Sequence, residues 1–394
     1  MHSAFSNTQI AHHVHNALGG SAKDQVITSQ DFTDAIAEIT TWQGYAPTPL
    51  YALRALAEEL GIAKIHYKDE ALRFNLASFK ALGGAYAALR LLQKELTAQL
   101  GHPVKSQDII GGRYRAQAAG ITLVSATDGN HGRSLAWGCQ RFGVPCRIYI
   151  HAEVSEGRAE AMRAYGALVV RIAGDYDASV ALTRLEAEKN GWFVISDTSW
   201  PGYQDPPRDV MAGYGIMVNE ICQTLDQAPT HVFLQGGVGG MAASITAFLR
   251  QYWSQSPIRI CVVEPDLAPC LFVSAQNGTL TNFNIQKETV MAGLSCGAPS
   301  PLAWPILDAE VTDFLTIPDT LIGPTMRLLA HPLADDPAIT AGESAVAGLA
   351  VAIAACHTPD LRDALALGAD ARILVFGSEG ITDPDIYAQL MAEV

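Results

Sequence analysis

The feature that most restricts how this chain can fold is a regular alternation that begins at residue 121. Short runs rich in branched residues, ITLVSA, CRIYIH, ALVVRIA and WFVIS, are separated by the amphipathic stretches GRSLAWGCQRFG, SEGRAEAMRAYG and DASVALTRLEAEKNG. Apolar runs of about five to seven residues joined by helices read as parallel strands buried on both faces. Each helix then serves as the right-handed crossover between one strand and a parallel neighbour. The pattern predicts a small α/β domain over residues 91–206.

A second alternating set follows, with a helix around Asp209 to Leu225, the strand THVFLQ, a helix from Met241 to Trp253 and the strand IRICVVE. It resumes with a helix at Glu343 to Cys356, the strand ARILVFG and a last helix after Pro384. Residues 1–90 and 207–394 are thus expected to form a larger α/β domain. The expected fold is two unequal α/β domains, with twisted, mostly parallel sheets covered by helices and a ligand cleft between them. Pro265 to Pro337 is rich in Pro, Gly and Asn and reads as an irregular segment that carries function or covers a site.

Composition narrows the function classes. The chain has 26 basic and 40 acidic residues, a formal net charge of −14, so no basic surplus exists to neutralise nucleic acid or anionic lipid. The longest apolar run, Ala345 to Cys356, is shorter than the roughly 20 residues that cross a bilayer. The start, MHSAFSNTQIAHHVHN, lacks a basic region followed by an apolar core, which gives a cytoplasmic expectation. Seven scattered cysteines without a C-x-x-C pair read as small buried hydrophobes rather than metal ligands. Cys270 and Cys296 alone sit in loop-like sequence and are the candidates for a pair, with reduced thiols the default. His12, His13 and His15 have no acidic neighbour in sequence and read as a solvated segment with no metal role.

Three motifs carry chemistry. Gly236-Gly237-Val238-Gly239-Gly240 lies between the strand THVFLQ and a helix, where backbone N–H groups and the helix dipole bind phosphate. The overlapping G-x-G-x-x-A match, with Glu264 ending the next strand, also fits a nicotinamide-dependent oxidoreductase. Lys80, in Ser78-Phe79-Lys80, opens a helical run at the positive end of its dipole, which favours an amine nucleophile over a solvated cation. Thr127-Asp128-Gly129-Asn130-His131-Gly132 follows a strand end, so Asp128 and Asn130 either look into a ligand crevice or cap the next helix.

Taken in order with Val263-Glu264-Pro265 and Ser378-Glu379-Gly380, these motifs resemble the pyridoxal-phosphate enzymes of the tryptophan-synthase β type, fold type II. Within that superfamily the chain is most similar to the diaminopropionate ammonia-lyases, from about Arg73 to Asp383. The further matching stretches are Ser196 to Tyr203, Met211 to Tyr214 and Met291 to Gly297. Ala77 and residues 203–207 depart from the pattern, and residues 342–345 keep part of its glycines.

The resemblance implies a β-elimination that turns 2,3-diaminopropionate into pyruvate and two ammonia, in a homodimer with a small amino-acid substrate. It implies that Lys80 forms the Schiff base to pyridoxal 5'-phosphate, with Phe79 beside it, and that Gly236, Gly237, Val238, Gly239 and Gly240 cradle the phosphate. Asn130 would hydrogen-bond the ring hydroxyl and Ser378 would face the pyridine nitrogen, where a neutral hydroxyl does not enforce ring protonation. Asp128 stands where related serine and threonine dehydratases carry a small residue, and a buried carboxylate there would pair with a substrate β-ammonium. Lys80, Asp128 and Asp197 are the candidate acids and bases. A serine, threonine or hydroxyaspartate dehydratase, and a non-catalytic ligand-binding protein on this fold, are the alternatives.

Overall fold

The alternation from residue 121 becomes a four-stranded sheet in a compact unit made of residues 30–45 and 79–216. Its strands run in the order Leu168–Arg171, Cys146–Ile150, Leu123–Ala126 and Phe193–Val194, each parallel to its neighbour. Leu123–Ala126 is buried at every position, as a strand covered on both faces must be. The last strand is shorter than WFVIS suggests. The Tyr203 hydroxyl donates to the Val194 carbonyl and accepts from the Ser196 N–H, both at 2.9 Å, and so draws the chain off the ladder. The computed structural model describes residues 2–6, 8–15, 26–127, 129–174 and 176–392.

Helix Lys80–Leu100 packs against helix Asn130–Phe142 in this unit. Small residues permit the close approach: a Cβ on Gly138 would stand 2.9 Å from the Ala85 Cα, and one on Gly84 2.8 Å from the Ser134 Oγ. Burial is continuous from Ala81 to Leu89. The expected boundary after residue 90 therefore falls inside one helix, and residues 79–90, 30–45 and 207–216 belong to the smaller unit. Helix Asp205–Thr224 begins there and ends in the other unit.

Residues 1–29, 46–78 and 217–394 form the larger unit, built on a seven-stranded sheet. Its order is Ala11–Val14, Asp313–Ile317, Arg259–Pro265, His231–Gln235, Arg372–Gly377, Lys64–Asp69 and Leu50–Ala52. The five inner strands are parallel and the two edge strands antiparallel. Helix Ala347–His357 is buried from Ala347 to Cys356, which explains its uniformly apolar sequence.

Three further sequence expectations need correction. The segment 265–337 is irregular only in part: residues 278–303 hold no strand or α-helix, but the rest holds strand Asp313–Ile317 and helices Cys270–Asn277, Trp304–Glu310 and Ile322–Ala330, each too short for periodicity to reveal. Cys270 accordingly opens a helix rather than lying in a loop, and none of the seven cysteines is in a disulfide. The histidines are not a solvated segment either. His12 lies in the edge strand 2.7 Å from Asp313 Oδ1, and His15 Nε2 lies 3.1 Å from Asp308 Oδ1, partners 301 and 293 residues away along the chain.

Chain leading to Lys80 is anchored in the larger unit. The buried Arg73 guanidinium meets Glu70 and Glu220, each at 2.8 Å, and Lys68 Nζ reaches Glu220 at 2.5 Å. Burial disfavours the Arg73 charge, but Glu70 and Glu220 outweigh it and hold the guanidinium firmly protonated. This network brackets Phe74, Asn75 and Ala77, all with positive φ, a conformation that non-glycine residues keep only where surroundings impose it. The Ala77 carbonyl accepts from Gly380 N–H at 3.0 Å, and Ser78 bridges Glu379.

Candidate active site

The sequence-expected residues fall into two groups, one in each unit. In the larger unit, Gly236 to Gly240 connect the fully buried strand His231–Gln235 to helix Gly240–Tyr252. Gly237 and Gly239 have φ of +64° and +95°, which glycine adopts without strain. A Cβ on Gly236 would stand 2.5 Å from Glu264 Cγ, and one on Gly239 2.9 Å from Leu307 Cδ1, so neither of these two positions has room for a side chain. Gly236 N–H donates to Val263 O at 2.9 Å, and the Val238 carbonyl accepts from Ser300 N–H at 2.8 Å. A glycine-rich loop at a helix N-terminus fits a phosphate group.

Ser378 follows strand Arg372–Gly377, the parallel neighbour of His231–Gln235, so it and the glycine loop lie at the same carboxyl edge of the sheet. Its side chain is buried. Ligands of open α/β sheets bind beyond this edge.

Glu264 answers the nicotinamide reading. Its carboxylate accepts the N–H groups of Leu271 at 3.0 Å and Phe272 at 2.7 Å, and Cys270 Sγ lies 3.6 Å from it. Burial pushes this carboxyl up to about 8 despite those hydrogen bonds. A fully buried residue that caps helix Cys270–Asn277 beneath Gly236 is not placed to hold a ribose hydroxyl. This correction removes the dinucleotide alternative.

In the smaller unit, Lys80 opens its helix, as expected, and Nζ is ion-paired with Asp197 Oδ2. Their side chains are 20% and 16% exposed. Burial pushes the Asp197 carboxyl up, but the Lys80 charge, His131 and the Lys80 hydrogen bond hold it well below the usual carboxylate range. Asp197 is therefore a charged acceptor. Phe79 precedes the helix, with Lys80 Nζ 5.5 Å from its ring centroid.

Asn130 begins helix Asn130–Phe142, and its Oδ1 accepts from Arg133 Nη2 at 3.2 Å. Thr127 Oγ1 accepts the N–H groups of Gly129 at 3.1 Å and Gly132 at 3.3 Å at the start of this helix. Asp128 itself lies outside the described residues.

His131 is the member that sequence reasoning left without a role. The Ile195 carbonyl, which can only accept, lies 2.9 Å from Nε2 and so assigns the hydrogen to that nitrogen. Nδ1 is then a buried acceptor without a donor among the described residues. Burial lowers the affinity of His131 for a second proton, with the Asp197 and Lys80 charges acting in opposite directions. Its place beside Asn130 was the only signal in the sequence. Among the described residues no group of His, Cys, Asp and Glu could hold a metal ion.

The larger unit thus offers an anion seat, and the smaller unit offers a lysine with a charged carboxylate paired to it. Comparison with known proteins gives this arrangement a family. The model of the pyridoxal-phosphate dependent enzymes matches residues 41–379. The diaminopropionate ammonia-lyase of Escherichia coli K12 is 38% identical over 358 residues, covering 89% of this chain and 88% of that one. That of Salmonella typhimurium LT2 is 35% identical over 358 residues, 88% of each. The crystal structure of the selenomethionine-containing holo diaminopropionate ammonia-lyase from Escherichia coli superposes with a TM-score of 0.90 at 34% identity, covering 98% of this chain and 97% of that one. The chain belongs to the family of pyridoxal-phosphate dependent enzymes.

Proposed function

We propose that this protein is an ammonia-lyase that uses pyridoxal phosphate to convert 2,3-diaminopropionate and water into pyruvate and two ammonia. The observation that carries the substrate is the 38% identity to a diaminopropionate ammonia-lyase over 89% of the chain. It is supported by the ion pair between Lys80 and Asp197 and by a glycine-rich loop at a helix N-terminus.

In this reading Lys80 binds the cofactor aldehyde, Gly236 to Gly240 hold its phosphate, Phe79 and Asn130 lie along the ring and Ser378 meets the pyridine nitrogen. When bound, pyridoxal phosphate supplies an electron sink for the pair left at Cα. Asp197 orients Lys80, and the Lys80 amine, once free, takes or returns the proton at Nζ. Neutral His131 offers Nδ1 as an acceptor for an N–H group nearby. Asp128 pairs with the β-ammonium of the substrate and so selects a diamino acid over a hydroxy acid. We place the enzyme in the cytoplasm as a homodimer that acts on small amino acids.

The experiment is a comparison of kcat/KM for diaminopropionate, serine and threonine, with Asp128→Ser beside the wild type. A paired buried charge of about 2 to 4 kcal/mol corresponds to a thirty-fold to thousand-fold preference for diaminopropionate, which Asp128→Ser should erase. Equal turnover of serine or threonine by the wild type would instead establish the dehydratase reading.

A further inference from the structure

We propose that the hydroxyl of Tyr214 is the hydrogen-bond partner that holds the Lys80 amine during turnover, when that amine is no longer paired with Asp197. The inference rests on the reading of Lys80 given above and adds a positioning residue to the same reaction. Tyr214 lies in helix Asp205–Thr224 and is 1% exposed. Its ring packs on that of Phe79, centroids 4.7 Å apart, and Lys80 Nζ lies 5.5 Å from the same Phe79 ring. Gly83 stands nearly one turn into the helix that Lys80 opens, and a Cβ there would come within 2.6 Å of Tyr214 Cε1. The tyrosine ring is thus seated on the first turn of the lysine helix, and the glycine makes that seat possible.

The Tyr214 oxygen is buried and has no hydrogen-bond partner among the described residues. A buried hydroxyl without a partner opposes folding, and phenylalanine would fill the same space without it, so the oxygen calls for a role other than packing. Burial raises the phenol well above its usual range, and the Lys80 and Asp197 charges both act on it, in opposite directions. The group therefore stays neutral beside that pair. A neutral phenol can donate to a free amine and can accept from an ammonium, so it can follow Lys80 through both protonation states, which a carboxylate cannot do.

The test is Tyr214→Phe in the holoenzyme. Methylamine is added to displace Lys80 from the cofactor, and the return of Lys80 on rapid dilution is followed by visible absorbance. The variant should keep the visible band of the bound cofactor and a Tm equal to or above that of the wild type. Return of Lys80 should slow about ten-fold, the loss expected for one hydrogen bond, and kcat for diaminopropionate should fall by a similar factor with KM little changed. An unchanged return rate overturns the proposal, and so does a Tm lower by more than a few degrees, because the hydroxyl would then be a structural hydrogen bonder. If the return slows in an enzyme that does not turn over diaminopropionate, the substrate reading fails while the role of Tyr214 stands. If wild-type protein shows no visible band with pyridoxal phosphate, the reading of Lys80 fails and takes this proposal with it.

Discussion

Gly237→Ala and Gly278→Ala form a matched pair that isolates the anion seat. Their φ values are +64° and +63°, so alanine costs the same backbone strain at each, about 1 to 2 kcal/mol. At Gly278, the exposed C-cap of helix Cys270–Asn277, an added Cβ meets nothing within 4 Å. At Gly237 it meets only ordinary contacts, the Gly293 carbonyl at 3.4 Å and Leu294 Cδ2 and Cys296 Sγ at 3.7 Å. The folded protein tolerates both methyl groups, and the two Tm values should fall together by a few degrees or less. Only Gly237 belongs to the loop. Disturbing one charge-assisted hydrogen bond from its backbone to phosphate costs about 1.5 to 3 kcal/mol, or roughly a ten-fold to hundred-fold rise in Kd. The assay is titration of apoprotein with pyridoxal phosphate, followed by visible absorbance, with thermal unfolding of the same samples. Equal Kd values for the two variants would refute the assignment of phosphate to this loop. Gly236→Ala marks the other extreme: its Cβ, 2.5 Å from Glu264 Cγ, should disturb the cap on helix Cys270–Asn277 and lower Tm more than either.

Lys80→Ala should bind no cofactor with the wild-type visible absorbance, and borohydride reduction of the wild type should label the peptide that carries Lys80; a label elsewhere would contradict the assignment. Glu264 gives a pH prediction. Its carboxyl is raised from 4.5 to about 8 in the folded protein, which therefore holds a proton that the unfolded chain releases between those values. Its contribution to stability is complete below pH 4.5 and declines as pH rises toward 8. Glu264→Gln should flatten that decline, so its stability relative to wild type should rise between about pH 5 and about pH 8.5 in denaturant titrations. A constant difference across that range would show that the burial of Glu264 carries no such penalty.

Much of this molecule is legible from local sequence. Leu123–Ala126, His231–Gln235 and Arg372–Gly377 are buried strands because continuous apolar runs between helices have no other stable place in an α/β protein. The glycine loop and the start of the Lys80 helix are equally local, set by conformations that few residues can adopt and by the end of a helix dipole. The pairings are a different matter. Asp197 meets Lys80 across 117 residues of chain, and His12 meets Asp313 across 301, and no periodicity records which residues the packing of helices and the register of strands will bring together. The role of Glu264 shows the same limit: its spacing from the glycine loop fits a ribose ligand, yet the fold spends its carboxylate on the N–H groups of Leu271 and Phe272. The unit boundary also escaped the sequence, because Lys80–Leu100 is one helix whose partner, Asn130–Phe142, accepts it only through small residues such as Gly84 and Gly138. Local composition sets which elements form, since backbone strain and burial act over a few residues. Long-range packing sets which side chains share a site, since that depends on contacts the chain makes only once it has folded.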